Sequence, residues 1–150
     1  MTTVEIRPAL TTDLPDIQNC ALEAYAKYVE RMDREPAPMS AEFGIQITNG
    51  YVDVATLGSQ FAGYVVFYPK GDHLHLESVA VRPECSGQGV GKRLIEHVEH
   101  HALNAGYKAV ELYTNEVMTE NLAMYTRMGY IEVDRRLEAG FNRVFFRKPI

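Results

Sequence analysis

The stretch that decides the fold runs from residue 79 to residue 95 and reads VAVRPECSGQGVGKRLI. Its apolar start, Val79–Val81, predicts a strand, and its end predicts an amphipathic helix. Between them lie three glycines at alternate positions, Gly87, Gly89 and Gly91. Backbone amides at the start of a helix lack intrahelical acceptors and lie at the positive end of the helix dipole. The stretch therefore predicts a cradle for a phosphate or pyrophosphate group.

Two common phosphate-binding loops do not match this stretch. A P-loop, G-x-x-x-x-G-K-[ST], would need a glycine at Ser86 and a hydroxyl at Arg93. A dinucleotide-binding loop, G-x-G-x-x-G, would need its third glycine at Lys92. The remaining pattern resembles the acetyl-CoA loop of the GNAT (Gcn5-related N-acetyltransferase) superfamily, roughly [QR]-x-x-G-x-[GA]. Gly89 and Gly91 match its glycines, and Ser86 takes the position of its Gln or Arg.

A second segment, Asn121–Tyr130, resembles another signature of this superfamily, roughly N-x-x-A-x-x-[LF]-Y-x-x-x-G-[FY]. Tyr125, Gly129 and Tyr130 align with its Tyr, Gly and aromatic residue. Asn121 follows the usual Asn position by three residues, about one helical turn, so it is expected to point toward the same ligand. The resemblance implies that Tyr125 protonates the departing CoA thiolate. A core tyrosine on a short helix is the alternative.

The order of predicted elements is β-α-α-β-β-β-α-β-α-β-β. It matches the α/β fold of the GNAT acyl-CoA N-acyltransferases, a mixed and mostly antiparallel sheet flanked by helices. The first helix is expected to run to about Val29 or Arg31, and Ser40 and Thr119 are expected to cap two later helices. Pro69–Asp72 is predicted to form the turn before the strand His73–Val81.

Composition fits one globular domain over residues 1–150, with 46% hydrophobic and 23% charged residues. No apolar run could span a membrane and no signal peptide is visible, so a cytoplasmic protein with no membrane partner is expected. Cys20 and Cys85 show neither metal nor disulfide spacing, which is typical of a reduced compartment. The net charge of −5 argues against a general nucleic-acid binder.

The predicted strand before the glycine loop carries one carboxylate, Glu77. Removing a proton from an amine of pKa ~10.4 at pH 7 costs about 4–5 kcal/mol, so a general base would assist acyl transfer. Some superfamily members carry a basic carboxylate on this strand, which implies that role for Glu77. Burial beside apolar neighbours is expected to raise the pKa of Glu77. The alternative is a carboxylate paired with a neighbouring Arg or Lys.

The resemblance also implies how the donor is held. The strand Val79–Val81 is expected to splay from the strand Ala109–Tyr113 and to bond the pantetheine arm through its backbone. An N–H near Val79 would polarise the thioester carbonyl. The residues expected to bind acetyl-CoA are Val79, Ala80, Val81, Ser86, Gly87, Gln88, Gly89, Val90, Gly91, Lys92 and Asn121.

Histidines are a further set of candidates. His97 and His101 have i, i+4 spacing suited to a metal, but no other ligand is signalled. A solvent-facing helix surface is therefore favoured, and no metal is expected. His73 and His75 share one face of the strand that carries Glu77, where they line the acceptor pocket, shuttle a proton or pack across strands.

These patterns favour an N-acetyltransferase that moves an acetyl group from acetyl-CoA directly to a primary amine. The acceptor is expected to be a small molecule or a peptide, with the segment Arg31–Met39 on the acceptor side. Two alternatives remain: a non-catalytic acyl-CoA-binding or sensing module, and a transferase for another acyl-CoA. Glu77 and Tyr125, the candidate catalytic residues, favour the enzyme. Dimerisation is common in the family, so a homodimer is compatible with the resemblance.

Overall fold

A computed structural model describes residues 3–32 and 34–150. Seven strands form one sheet in the order β1-β2-β3-β4-β5-β7-β6. The strands are β1 (Val4–Pro8), β2 (Val52–Leu57), β3 (Gln60–Lys70), β4 (His73–Val81), β5 (Ala109–Asn115), β6 (Ile131–Glu138) and β7 (Phe141–Pro149). The helices are α1 (Leu14–Tyr25), α2 (Val29–Met32), α3 (Phe43–Thr48), α4 (Val90–Ala105) and α5 (Thr119–Arg127). The mixed α/β fold predicted from the sequence is confirmed.

The sheet is mostly antiparallel, with one parallel pair. β1 with β2, β2 with β3, β5 with β7, and β6 with β7 are antiparallel. The parallel ladder between β4 and β5 runs from His73↔Ala109 to Leu76↔Leu112. Both strands continue beyond the ladder, to Val81 and Asn115.

The chain divides into two compact units, the first of which comprises Met1–Phe67 and Ser78–His97. In this unit α1 buries Ile17, Cys20 and Ala21, whose spacing places them on one face of the helix. Phe43 of α3 packs edge-on against Tyr64 of β3, with ring centroids 5.2 Å apart. Fully burying side chains of this size stabilises the fold by about 1.5–3 kcal/mol each.

The second unit comprises Tyr68–Glu77 and Val98–Ile150. Its core is built from alternate residues of β5 and β7 together with side chains of α4 and α5. The members, all at most 4% exposed, are Val98, Ala102, Val110, Leu112, Tyr125, Val144 and Phe146. The amphipathic helix predicted at the end of the glycine-rich stretch is α4, which also buries Val90 and Leu94 in the first unit. That residues 1–150 form a single domain stays a prediction.

The first predicted helix is shorter than expected. α1 ends at Tyr25, and a 3-10 turn, Ala26–Tyr28, separates it from α2. A 3-10 helix has three residues per turn, which aligns residues i and i+3 on one face. Tyr25 and Tyr28 are both buried, with ring centroids 6.1 Å apart. The tighter turn therefore buries both rings at the point where the helix was expected to continue.

Both predicted caps are wrong, and so is one turn. Ser40 ends a 3-10 turn, and Glu42 precedes α3 in its place. Thr119 is the first residue of α5, and its hydroxyl donates to Glu120 rather than capping a backbone amide. The turn between β3 and β4 contains only Gly71 and Asp72, because β3 continues through Pro69 to Lys70.

The edge strand β6 exposes apolar side chains. Ile131, Val133 and Leu137 are 60%, 55% and 70% exposed. Exposed apolar groups on a sheet edge favour association, so the homodimer stays a prediction with this edge as its candidate surface. No helix in the described ranges combines the length and apolar character needed to cross a membrane.

A two-residue turn, Ala139–Gly140, joins β6 to β7, and both residues have positive φ, 52° and 82°. Such hairpin turns favour Asn-Gly, and a Cβ in this left-handed region costs about 1–2 kcal/mol. Ala139→Asn is therefore expected to raise the free energy of unfolding by about 1 kcal/mol, measured by urea denaturation. Ala41→Asn is the matched control, since Ala41 has φ −67° and no strain to relieve. A loss of stability at position 139 would contradict the strain argument.

Candidate functional site

The glycine loop between β4 and α4 takes a conformation that requires glycine at two positions. A 3-10 turn, Pro83–Cys85, follows β4, and α4 begins at Val90. Gly87 and Gly89 have φ of 79° and 80°, in the left-handed region. A Cβ built on either would meet no atom within 4 Å, so backbone conformation rather than space explains these glycines.

Six consecutive amides, residues 87–92, lack an acceptor among the described residues. The bond from Arg93 N to Gly89 O, 3.1 Å long, is the first that enters α4. A 16-residue helix adds the positive end of its dipole at the same place. The loop can therefore hold an anion through its main chain.

Side chains of the loop contribute less than its backbone. The Ser86 hydroxyl donates to the Pro83 carbonyl, 2.8 Å away. Val90 is 1% exposed, so only its amide is available to a ligand. Gln88 and Lys92 are exposed. Gly91 lies close to Val81, whose Cγ2 is 3.5 Å from a Cβ built at the glycine.

Tyrosine hydroxyls hold the end of β4 within the first unit. Tyr25 donates to the Val79 carbonyl at 2.9 Å, and the hydroxyls of Tyr64 and Ser78 are 2.8 Å apart. Burial raises the pKa of Tyr25 to about 12, so its hydroxyl stays a donor. A carbonyl has two lone pairs, so the Val79 oxygen can still accept a second bond. Gly63 lies against Ala80, whose oxygen would be 2.5 Å from a glycine Cβ.

A cluster of five polar and aromatic residues, the Glu77 cluster, lies on one face of the second unit: Tyr68, His75, Glu77, Tyr113 and Arg143. His75 Nε2 is 2.7 Å from Glu77 Oε2, and the Tyr68 hydroxyl donates to the same oxygen at 3.1 Å. The His75 ring lies between the rings of Tyr68 and Tyr113, at 5.3 and 5.6 Å. The Arg143 guanidinium stacks on Tyr113 at 4.1 Å. These contacts fix the Glu77 carboxylate and the His75 imidazole together.

The expectation of a raised pKa for Glu77 is wrong. The hydrogen bond with His75 holds the pKa of Glu77 below its ordinary value, although burial acts in the opposite direction. The Tyr68 hydroxyl and the charge of Arg143 lower it further, and so does the charge of His75 whenever the imidazole is protonated. Glu77 is therefore a carboxylate at neutral pH. Its partner is a histidine, whereas the alternative predicted an Arg or Lys.

Tyr125 and Asn121 lie on α5 in the same unit. Tyr125 is 4% exposed, and its ring contacts Tyr130 and Phe146 at 5.7 and 6.0 Å. Asn121 Nδ2 lies 3.5 Å from Thr114 Oγ1, at the limit of hydrogen bonding. Both residues therefore have structural partners, and their roles toward a ligand stay predictions.

The sequence indicated that His97 faces solvent, whereas the structure shows it partly buried and paired with Asp53. Its Nε2 is 2.6 Å from Asp53 Oδ2, and its side chain is 25% exposed. His100 and His101 are exposed. On the segment predicted to face the acceptor, Glu35 is exposed and Pro36 is buried, while Asp33 lies outside the described residues.

The sequence reasoning missed the pairing of His75 with Glu77 and the contributions of Tyr68, Tyr113 and Arg143. One signal was present, because residues two apart on a strand share a face. The two-residue turn after Lys70 also places Tyr68 opposite His75, whereas the predicted four-residue turn does not. Predicting the contact of Arg143 with Tyr113 would have required the register of β5 with β7, which the sequence pattern does not specify.

Comparisons with known proteins agree with this architecture. The model of the acetyltransferase (GNAT) family matches residues 14–130. An uncharacterized N-acetyltransferase from Methanocaldococcus jannaschii is 30% identical over 117 residues, which cover 73% of this chain and 72% of that protein. The mycothiol acetyltransferase of Jonesia denitrificans is 33% identical over 95 residues, 60% of this chain but only 30% of that protein. The chain thus spans less than a third of the latter relative.

A solved structure shows the same fold. It is PaiA N-acetyltransferase from Thermoplasma acidophilum in complex with coenzyme A, with a TM-score of 0.77, 20% identity and 99% of each chain covered. At that identity the likeness concerns the fold alone. The assignment to a family rests on the family match over residues 14–130 and on the relative from Methanocaldococcus jannaschii. On that evidence, this chain belongs to the GNAT family of acetyltransferases.

Proposed function

We propose that this acetyltransferase uses acetyl-CoA as its donor and transfers the acetyl group directly to a primary amine. The single observation that carries the proposal is the run of six amides, residues 87–92, without an acceptor in the described chain. A pyrophosphate accepts several hydrogen bonds and carries negative charge, and both suit the start of α4. The family assignment makes coenzyme A the natural bearer of that pyrophosphate.

The donor would lie along the main chain of the first unit. Its pyrophosphate accepts from the amides of Gly87 to Lys92, and its pantetheine arm bonds the backbone of Val79, Ala80 and Val81. The hydroxyl of Tyr25 supports this geometry because it holds the Val79 carbonyl in place. The exposed side chains of Gln88 and Lys92 are free to follow the phosphates. Ser86 contributes through its backbone, since its hydroxyl donates a hydrogen bond to the Pro83 carbonyl.

The acceptor would bind at the Glu77 cluster. A primary amine arrives as an ammonium ion, and the ionised carboxylate of Glu77 attracts it. Loss of one proton frees the nitrogen lone pair, which attacks the thioester carbonyl. The C–S bond then breaks, and the thiolate takes a proton from the hydroxyl of Tyr125, as the family pattern implies. The acylated nitrogen sheds its second proton to solvent, and solvent returns a proton to the Tyr125 phenolate, so one proton is released overall. Asn121, near the start of α5, would contact the same ligand.

One observation favours the sensing module as a second candidate. Tyr125 is 4% exposed and packs against Tyr130 and Phe146, as a purely structural tyrosine would. A thiol-release assay with acetyl-CoA and a panel of amines separates the two functions. Release of CoA with at least one amine supports the enzyme, whereas acetyl-CoA binding without release favours the sensor. Replacing acetyl-CoA by propionyl- or succinyl-CoA in the same assay tests the identity of the donor.

Gly89→Ala is expected to raise the Kd for CoA about tenfold, because a Cβ at φ 80° forces the loop to rearrange. Isothermal titration calorimetry measures the effect. Gly106→Ala is the matched control: Gly106 also has φ 80° but follows the far end of α4. Both variants should lose similar stability, and only Gly89→Ala should lose affinity. Equal affinities of the two variants would count against the loop as the donor cradle.

Glu77→Gln is expected to lower kcat about 10²-fold with an unchanged Kd for acetyl-CoA. The reason is that Gln keeps the shape of the side chain but removes the negative charge that assists loss of the proton from the bound ammonium ion. Glu132→Gln is the control, since Glu132 is also an ionised carboxylate of the second unit, held by Arg135 on the exposed strand β6. If Glu77→Gln turned over like Glu132→Gln, Glu77 would have no part in the reaction.

Tyr125→Phe is expected to lower kcat about tenfold or more, because the thiolate loses its proton donor. Tyr130→Phe is the matched control: Tyr130 is equally buried, but its hydroxyl donates to Glu99. Losing that bond should cost about 1 kcal/mol of stability and leave kcat unchanged. Steady-state kinetics and thermal unfolding of both variants distinguish the two roles. Equal kcat values would make Tyr125 a core residue only.

A further inference from the structure

We propose that His75 takes the proton from the acceptor amine, and that Glu77 is a positioning residue which orients the imidazole and offsets its charge. The proposal rests on the proposed N-acetyltransferase function and changes the role the sequence gave to Glu77. The proton from the amine is assigned to His75, which lies two positions before Glu77 on β4. The pair would act as one acid–base unit.

Contacts on three sides hold the imidazole of His75. Its Nε2 is 2.7 Å from Glu77 Oε2, and its ring lies between those of Tyr68 and Tyr113. The Tyr68 hydroxyl donates to the same carboxylate oxygen, which fixes Glu77 in turn. His75 is 5% exposed, so the ring keeps a single orientation within the second unit. Such fixed geometry is what a proton acceptor needs.

The protonation state of Glu77 decides which nitrogen of His75 is basic. An ionised carboxylate can only accept hydrogen bonds, so Nε2 carries the hydrogen and Nδ1 carries the lone pair. No described residue bonds Nδ1. Gln46 Oε1 is the one fully buried side-chain polar atom of the described chain that lacks a partner. Nδ1 of His75 therefore keeps contact with solvent, from which a proton can arrive.

Histidine is also the better proton acceptor of the two. The hydrogen bond from His75 lowers the pKa of Glu77, which weakens that carboxylate as a base. An ordinary imidazole has a reference pKa of about 6.5, against about 4.3 for a glutamate. A base works best when its pKa lies near the operating pH. Glu77 is better suited to stabilise an imidazolium than to hold the proton itself.

Charged and titratable groups of the neighbouring strands face the pair. Glu111 of β5 is the register partner of His75, and its carboxylate is paired with Arg147 of β7. Arg143 of β7 is likewise paired, with Glu138 of β6 at 2.7 Å. The remaining groups around His75 are Tyr68 of β3, His73 and Glu77 of β4, and Tyr113 of β5.

The proton transfer is balanced without any further reactant. An N–H bond of the ammonium ion breaks, and its electron pair stays on the amine nitrogen. The proton crosses a single bridging water and forms a bond to Nδ1 of His75. The positive charge moves from the substrate to the imidazolium, next to the Glu77 carboxylate. The neutral amine then attacks the thioester.

A pH profile of kcat/KM tests the assignment, using acetyl-CoA and the best amine of the panel. The wild type should lose activity in acid, with one bend where the proton-accepting group becomes protonated. His75→Gln should lower kcat about 10²-fold and abolish the bend, while the Kd for acetyl-CoA stays unchanged. Glu77→Gln should keep the bend but move it to lower pH, because the imidazolium loses its counter-charge. His100→Gln, on the exposed face of α4, is the control and should match the wild type.

Nitrogen-15 NMR of the wild-type protein provides a test that needs no variant. Neutral His75 should carry its hydrogen on Nε2, and a hydrogen on Nδ1 would overturn the proposal. An acid bend that persists in His75→Gln, or a kcat within twofold of the wild type, would overturn it as well. Either result, obtained with an active enzyme, leaves the proposed function standing. Turnover of no amine by the wild type would overturn the proposed function, and the role of His75 with it.

Discussion

The start of α4 imposes the constraint on which this architecture depends. A helix cannot satisfy its own first amides, and the described chain offers no acceptor to those of residues 87–92. The buried stripe Val90, Leu94, Val98 and Ala102 fixes how α4 packs, so the helix cannot rotate its amides toward another part of the chain. Gly87 and Gly89 then turn the loop through the left-handed region. Water or an external anion is left to satisfy these donors, and an anion also gains from the helix dipole.

The sequence predicted those features that depend on local periodicity and on glycine. The strand His73–Val81, the helix from Val90 and the glycine loop are found where the pattern placed them. Capping by Ser40 and Thr119 was predicted wrongly, because prolines beside Ser40 favour a 3-10 turn and Thr119 bonds Glu120. The Glu77 cluster depends on pairing between distant strands. A two-residue error in one turn was enough to hide the contact of Tyr68 with His75.

The pKa of Glu77 shows that its hydrogen-bond partners outweigh the effect of burial. Its place on a mostly buried strand predicts a raised pKa, but two hydrogen-bond donors to one carboxylate oxygen lower the pKa instead. Those donors come from His75 on the same strand and from Tyr68 on the adjacent one. Burial was predictable from the apolar alternation of β4, whereas the Tyr68 donor was identified only by the cross-strand geometry. The His75 donor lies two residues away on the same strand and forms an imidazole–carboxylate pair with Glu77.

In the proposed mechanism, the charges around that pair account for both the arrival of an amine and its deprotonation. With His75 neutral, Glu77 carries the unbalanced negative charge of the cluster, because Arg143 is paired with Glu138. An ammonium ion of one positive charge balances it. When the proton moves to His75, the positive charge stays within the cluster and only the neutral amine leaves for the thioester. The total charge of the buried face is therefore the same before and after the transfer, which spares the step a large electrostatic cost.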